Sequence, residues 1–222
     1  MKKSLVIGIS FFLFACGNPG DDINISENTI EESETEEANF EVPENLKSDK
    51  ILAIEFFDFG CDHCRELHKI LKKLEIDYGT NLKVERHHFP LGKKTHRVAE
   101  GAECAREQEK YESFVELIFE DEYFKNYGDD ILLEMAKKGG LDTNQFIKCL
   151  ASDDAFRRVS MDRKKGEKLG VSGTPFLIIN ENLHIPGMIP EEKMRDVFDQ
   201  ILSPKTDESS NLENAEKNEN AE

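Results

Sequence analysis

Ile51-Leu52-Ala53-Ile54-Glu55-Phe56-Phe57-Asp58-Phe59-Gly60-Cys61-Asp62-His63-Cys64 decides the fold of this chain. Its first seven residues form a short apolar run broken by one acid, which suits a central strand buried on both faces. After Gly60 the period changes. Leu67, Ile70, Leu71, Leu74 and Tyr78 recur at helical spacing until Gly79, a residue suited to ending a helix. Cys61 and Cys64 therefore stand where a buried strand ends and a helix begins.

Working outward, Leu82 to Phe89 reads as the next strand, closed by Pro90. From about residue 93 to Lys168 the spacing is helical throughout, with Phe114, Leu117 and Ile118 on one apolar face and Ile131, Leu132 and Met135 on another. Gly139, Gly140, Asp142 and Asp153 supply stops and caps among four or five helices. Phe176 to Ile179 and Leu183 to Ile185 flank a turn at Asn180-Glu181-Asn182 and read as a hairpin. A last helix follows Pro190, with Met194, Val197, Phe198 and Ile201 on one face. The order is β-α-β, a helical insert over about 93–168, then β-β-α. The fold class is α/β.

The N-terminus pairs Lys2 and Lys3 with an apolar run from Leu5 to Ala15, about 11 residues, too short to span a bilayer and suited to an export signal. Leu13-Phe14-Ala15-Cys16 resembles the bacterial lipobox, Phe14 being bulkier than that position usually carries. The expectation is a signal over 1–16 with lipidation at Cys16, which anchors the chain to the membrane on its outer side. An ordinary signal peptide with an incidental cysteine is the alternative.

The formal charge of −17 is concentrated in the tails. Residues 17–46 hold ten acidic and no basic residues, and residues 204–222 hold six acidic and two basic. Residues 47–203 are left near −5 and form one domain. Both tails are too poor in apolar side chains to offset chain entropy and read as a disordered acidic tether and tail. No basic concentration points to nucleic acid.

An odd count of five cysteines in an exported chain needs one explained separately, and lipidation of Cys16 does so. Cys104 and Cys149 remain beside the Cys61/Cys64 pair. An oxidising compartment allows them to pair, closing a loop worth up to about 4 kcal/mol in the chain-entropy account. Two buried free thiols are the alternative.

A cysteine attacks disulfides as thiolate, and a helix start supplies unpaired N–H groups and the positive end of the dipole. Cys61 is the expected nucleophile, and Cys64, one turn on, the resolving thiol. His63 as imidazolium would lower the Cys61 pKa further. Glu55, the one charge in its strand, would be costly to bury without a partner, and a role in proton transfer to or from Cys64 would justify it. A strand-end Glu reaching solvent is the alternative. Cys61, His63, Cys64 and His68 offer four soft or borderline metal ligands within eight residues, but His63 and Cys64 are adjacent and point different ways on a helix, so no metal is assigned. A non-catalytic interaction lipoprotein is a third reading, and the intact cysteine pair argues against it.

Residues 55–64 resemble the active-site strand and helix of DsbA-type oxidoreductases. Similar too are Phe89-Pro90-Leu91, Ala102-Glu103-Cys104-Ala105, Phe146 to Leu150 around Cys149, and Val171-Ser172-Gly173-Thr174-Pro175-Phe176, in the same order over about residues 50–202. The resemblance implies a thioredoxin fold with an inserted helical layer. It also implies that Pro175 is cis and faces the cysteine pair, that Thr174 backbone atoms pair with a substrate strand, and that Cys104–Cys149 is a structural disulfide. No cofactor is implied. The expected partners are thiols and disulfides of exported proteins and a membrane redox protein.

Where the family usually has Pro, this chain has Asp62, whose charge disfavours a neighbouring thiolate by about 0.4 to 1.7 pK units. Disulfide isomerases of this superfamily generally carry a dimerisation domain, and residues 17–46 have no apolar pattern to build one. A monomeric oxidase therefore ranks first, with reductase second.

Overall fold

The computed structural model describes residues 42–120 and 128–203. The expected signal, Cys16, most of the acidic tether and the tail at 204–222 lie outside the described residues. Four strands, β1 (Ile51–Phe57), β2 (Leu82–His88), β3 (Phe176–Ile179) and β4 (Leu183–Pro186), form one sheet in the order β2-β1-β3-β4. β1 runs parallel to β2 and antiparallel to β3. Its run of apolar side chains suits this central place, because both of its faces are covered.

Helix α1 (Asp62–Tyr78) makes the crossover between β1 and β2, and α7 (Glu191–Leu202) follows β4. Leu67, Leu71 and Leu74 of α1 join Met194, Val197, Phe198 and Ile201 of α7 over Ile51, Ala53, Leu177 and Ile179. The opposite face carries Ile54, Phe56, Phe89, Val171, Phe176 and Ile178. The alternation of β1 side chains thus places Glu55 on the face toward α1.

Between β2 and β3 the described residues form five helices: α2 (Lys93–Arg106), α3 (Tyr111–Glu120), α4 (Asp129–Lys138), α5 (Thr143–Leu150) and α6 (Asp153–Lys168). Phe114, Val115, Ile118, Leu132 and Phe146 form their core, which reaches Phe57, Phe59 and Cys64. Helix α6 returns the chain to the sheet, and at Gly166 a Cβ would lie 2.9 Å from Phe89 and 3.0 Å from Phe56. Only a residue without a side chain allows that approach.

Cys104 and Cys149 are joined across α2 and α5, with S–S 2.03 Å and Cα–Cα 5.7 Å. Asp142 caps α5 by accepting the N–H groups of Asn144 and Gln145. At α6 the cap is Ser152 rather than Asp153: Ser152 is still extended and its hydroxyl accepts the Asp154 N–H, while Asp153 opens the helix. Strand β2 stops its regular pairing at His88, one residue earlier than the Leu82–Phe89 strand expected from the sequence, yet the Phe89 N–H still donates to the Phe57 carbonyl at 2.7 Å. Among the described residues no helix is long and apolar enough to cross a membrane.

Candidate active site

Cys61 is the N-cap of α1, with extended backbone. Its sulfur accepts the Cys64 N–H at 3.3 Å and, as thiol, donates to the Thr174 carbonyl at 3.5 Å. An N-cap normally uses an oxygen to satisfy the orphan N–H groups of the first turn. A thiolate here does the same with a full charge at the positive end of the helix.

The two sulfurs are unlike. Both cysteines are free, Cys61 half-buried and Cys64 sealed from solvent. The Cys61 pKa is lowered to about 6, first by the hydrogen bond from the Cys64 thiol, then by the backbone N–H of Cys64, by Thr174 and by the backbone N–H of His63, against the opposing effect of burial. Burial, followed by the hydrogen bond to Cys61, pushes the Cys64 thiol well up. Of the two sulfurs, Cys61 is thus the one that gives up its proton more readily.

His63 is exposed, and it acts on Cys61 through its backbone N–H. Asp62 is the first residue of α1. There its carboxylate suits the helix dipole, although it stands next to the thiolate. The Thr174–Pro175 peptide is cis. Thr174 meets Cys61 through its carbonyl, and its buried hydroxyl lies beside the pair. Among the described residues no three His, Cys, Asp or Glu side chains are grouped to hold a metal ion.

Glu55 is 1% exposed, on the sheet face toward α1. Burial raises its pKa to about 7, against the attraction of Arg86, and with lesser upward contributions from Glu112, Glu75 and Cys61. Arg86 sits opposite on β2, its Nε 3.4 Å from a Glu55 oxygen, while its terminal nitrogens reach Glu75 at 3.1 Å and Glu112 at 3.2 Å. One guanidinium thus gathers carboxylates from β1, α1 and α3. Arg86 escapes a reading of the sequence because its meeting with Glu55 depends on parallel register; the signal available was a lone basic residue between Val84 and His88.

In the sequence His68 reads only as a metal-type ligand. It follows Cys64 by one turn of α1, is buried against Phe119 with ring centroids 5.0 Å apart, and neither ring nitrogen has a hydrogen-bond partner. Burial, aided by Arg86, lowers its pKa to about 4. The neutral ring is the form that fits.

A family model described as thioredoxin matches residues 47–200. The probable disulfide bond formation protein D of Bacillus cereus is 32% identical over 166 residues, covering 68% of this chain and 74% of that protein. Among solved structures, the thiol-disulfide exchange protein alpha-DsbA2 from Wolbachia pipientis superposes with a TM-score of 0.61 at 25% identity, over 69% of this chain and 83% of its own. A thioredoxin-like oxidoreductase from Silicibacter pomeroyi DSS-3 gives 0.58 at 25%, over 68% and 87%. With a helix-capping dithiol, a sheet in the order β2-β1-β3-β4 and an inserted helical layer between β2 and β3, the chain belongs to the thioredoxin family, among its DsbA-type thiol:disulfide oxidoreductases.

Proposed function

We propose that the chain introduces disulfides into exported proteins through Cys61 and Cys64. The observation that carries this reading is the asymmetry of the two sulfurs: a half-buried Cys61 stabilised as thiolate beside a buried Cys64 that keeps its proton. A centre whose dithiol form is stabilised is a stronger oxidant, because reduction is then favoured.

In the oxidised chain a substrate thiolate attacks the Cys61 sulfur. The Cys61–Cys64 bond breaks, a mixed disulfide forms with Cys61, and Cys64 leaves with the electron pair and takes up a proton. A second substrate thiolate then attacks the substrate sulfur of that mixed disulfide and releases Cys61 as thiolate. Two electrons have passed from the substrate dithiol to the chain. Glu55, with a pKa near neutrality, is the group we assign to exchange the Cys64 proton. Thr174, whose carbonyl meets Cys61, and Pro175 after it would receive the substrate strand, with the Thr174 backbone atoms pairing to it.

On this reading the chain is a monomer, exported and held to the membrane by a lipid on Cys16, and a membrane redox protein returns it to the disulfide form. Cys104–Cys149 is the structural disulfide of the helical layer. The observation that favours reductase instead is Asp62, a negative charge where the family usually has Pro.

The test is the equilibrium reduction potential of the Cys61/Cys64 couple against glutathione. A potential clearly above the glutathione couple is expected, and one near or below it supports the reductase reading. Cys61→Ser abolishes oxidation of a reduced peptide, whereas Cys64→Ser accumulates mixed disulfides on Cys61. If Cys61→Ser keeps full activity, the assignment is wrong.

A further inference from the structure

Asp58 stands between β1 and Cys61 and is 3% exposed; its backbone N–H meets the Cys64 sulfur, and its carboxylate has no part in the exchange described above. Its carboxylate accepts the N–H groups of Gly60 and Leu91 and the Thr95 hydroxyl, the last at 2.7 Å. Its carbonyl accepts the Cys61 N–H at 3.1 Å. A buried carboxylate without partners is costly, and here both oxygens are engaged.

The four donors come from two places. Gly60 and Cys61 belong to the loop that delivers the sulfur to the start of α1. Leu91 and Thr95 belong to the segment that opens the helical insertion, Thr95 lying in the first turn of α2. Gly60 makes the contact possible, because a Cβ there would lie 2.8 Å from the Asp58 Oδ1 and 2.8 Å from the Thr95 methyl carbon. The carboxylate therefore clamps the cysteine loop to the insertion, and the clamp closes where only glycine fits.

The Cys61 sulfur must meet the Cys64 N–H and Thr174 together, which fixes the position of its backbone. We propose that Asp58 is a positioning residue for the Cys61 sulfur, its carboxylate holding the Asp58–Cys61 loop against Leu91 and Thr95 so that the sulfur stays on the N–H groups of α1. This rests on Cys61 being the attacking thiol. It differs from an effect of charge, since a carboxylate acting only through space would disfavour the thiolate, and its removal would make Cys61 more acidic.

The sign of the change therefore decides. The reduced full-length chain is titrated by thiolate absorbance at 240 nm, with alkylation and mass spectrometry confirming that Cys61 is the group observed. Asp58→Asn and Asp58→Ala are expected to raise the Cys61 pKa by about one unit, a tenfold loss of thiolate at pH values below both midpoints. Thr95→Val, which removes one hydroxyl of the clamp, and Gly60→Ala, which wedges it open, shift it the same way by less. If Asp58→Ala does not fold, the near-isosteric Asp58→Asn and Thr95→Val carry the test. Unchanged values in both, or a fall in the Asp58 variants, overturn the proposal. A wild-type Cys61 titrating as an ordinary thiol overturns the reading of Cys61 itself, a failure told apart from the first because it needs no variant.

Discussion

Glu55 and Arg86 face each other in register across the parallel pair β1–β2, on the side of the sheet that α1 covers, with 3.4 Å between carboxylate oxygen and guanidinium nitrogen. Neither Glu55 oxygen nor the Arg86 Nε makes a hydrogen bond of good geometry. The pair is electrostatic, and burial outweighs it at Glu55. Because the folded-state pKa lies near 7, above the usual carboxylate value, folding favours the protonated form. The associated stability is present below about pH 4.5 and is lost as pH rises through 7. Glu55→Gln is thus expected to match the wild type at pH 4 and to exceed it at pH 8 by up to about 3 kcal/mol in urea unfolding. Its rate of peptide oxidation at pH 7 should fall, which a merely structural carboxylate would not produce.

His68 gives the opposite pH dependence. Its lowered pKa means that folding favours the neutral ring, so stability present above about pH 6.5 is lost as pH falls toward 4. Arg86 and Lys72 oppose the charged ring, and Glu116 favours it less strongly than burial disfavours it. His68→Leu removes two buried ring nitrogens that have no partner. It is expected to gain about 1 kcal/mol at pH 7.5 and up to about 3 kcal/mol more at pH 4, read from urea midpoints at each pH.

The Cys104–Cys149 bond spans a sequence separation of 45 residues and ties α2 to α5. Replacing both residues with Ala should cost about 4 kcal/mol in the chain-entropy account and lower the melting temperature by about 8 to 16 °C. The alkylation profile of Cys61 should stay where it is, which separates this bond from the redox pair.

Asp62 occupies the first position of α1, where proline is well tolerated because the N–H it lacks would have no helical partner. Asp62→Pro removes a charge adjacent to the thiolate. The Cys61 pKa should fall by about 0.4 to 1.7 units and the reduction potential rise with it. Unchanged values in both measurements would show that Asp62 does not tune the centre.

Much of this architecture is legible in the sequence because local chemistry dictates it. The apolar run around Glu55, the helical spacing after Cys61 and the hairpin turn at Asn180 to Asn182 each rest on neighbours in the chain. Arg86, Asp58 and His68 are different. Arg86 gains meaning from a strand register that couples it to a residue 31 positions earlier, and Asp58 from the return of Leu91 and Thr95 to the cysteine loop. The burial of His68 depends on Phe119, from another helix. His63 shows the converse: its side chain is the conspicuous one in sequence, and its backbone is what reaches the sulfur.

The unequal exposure of the two sulfurs also gives the centre handedness. Cys61 is the sulfur open to solvent, so on the proposed reading every covalent complex is built on that one atom and approached from the side of Thr174. The order of events is then written into geometry: docking is always the task of one sulfur, and Cys64 can act only from within.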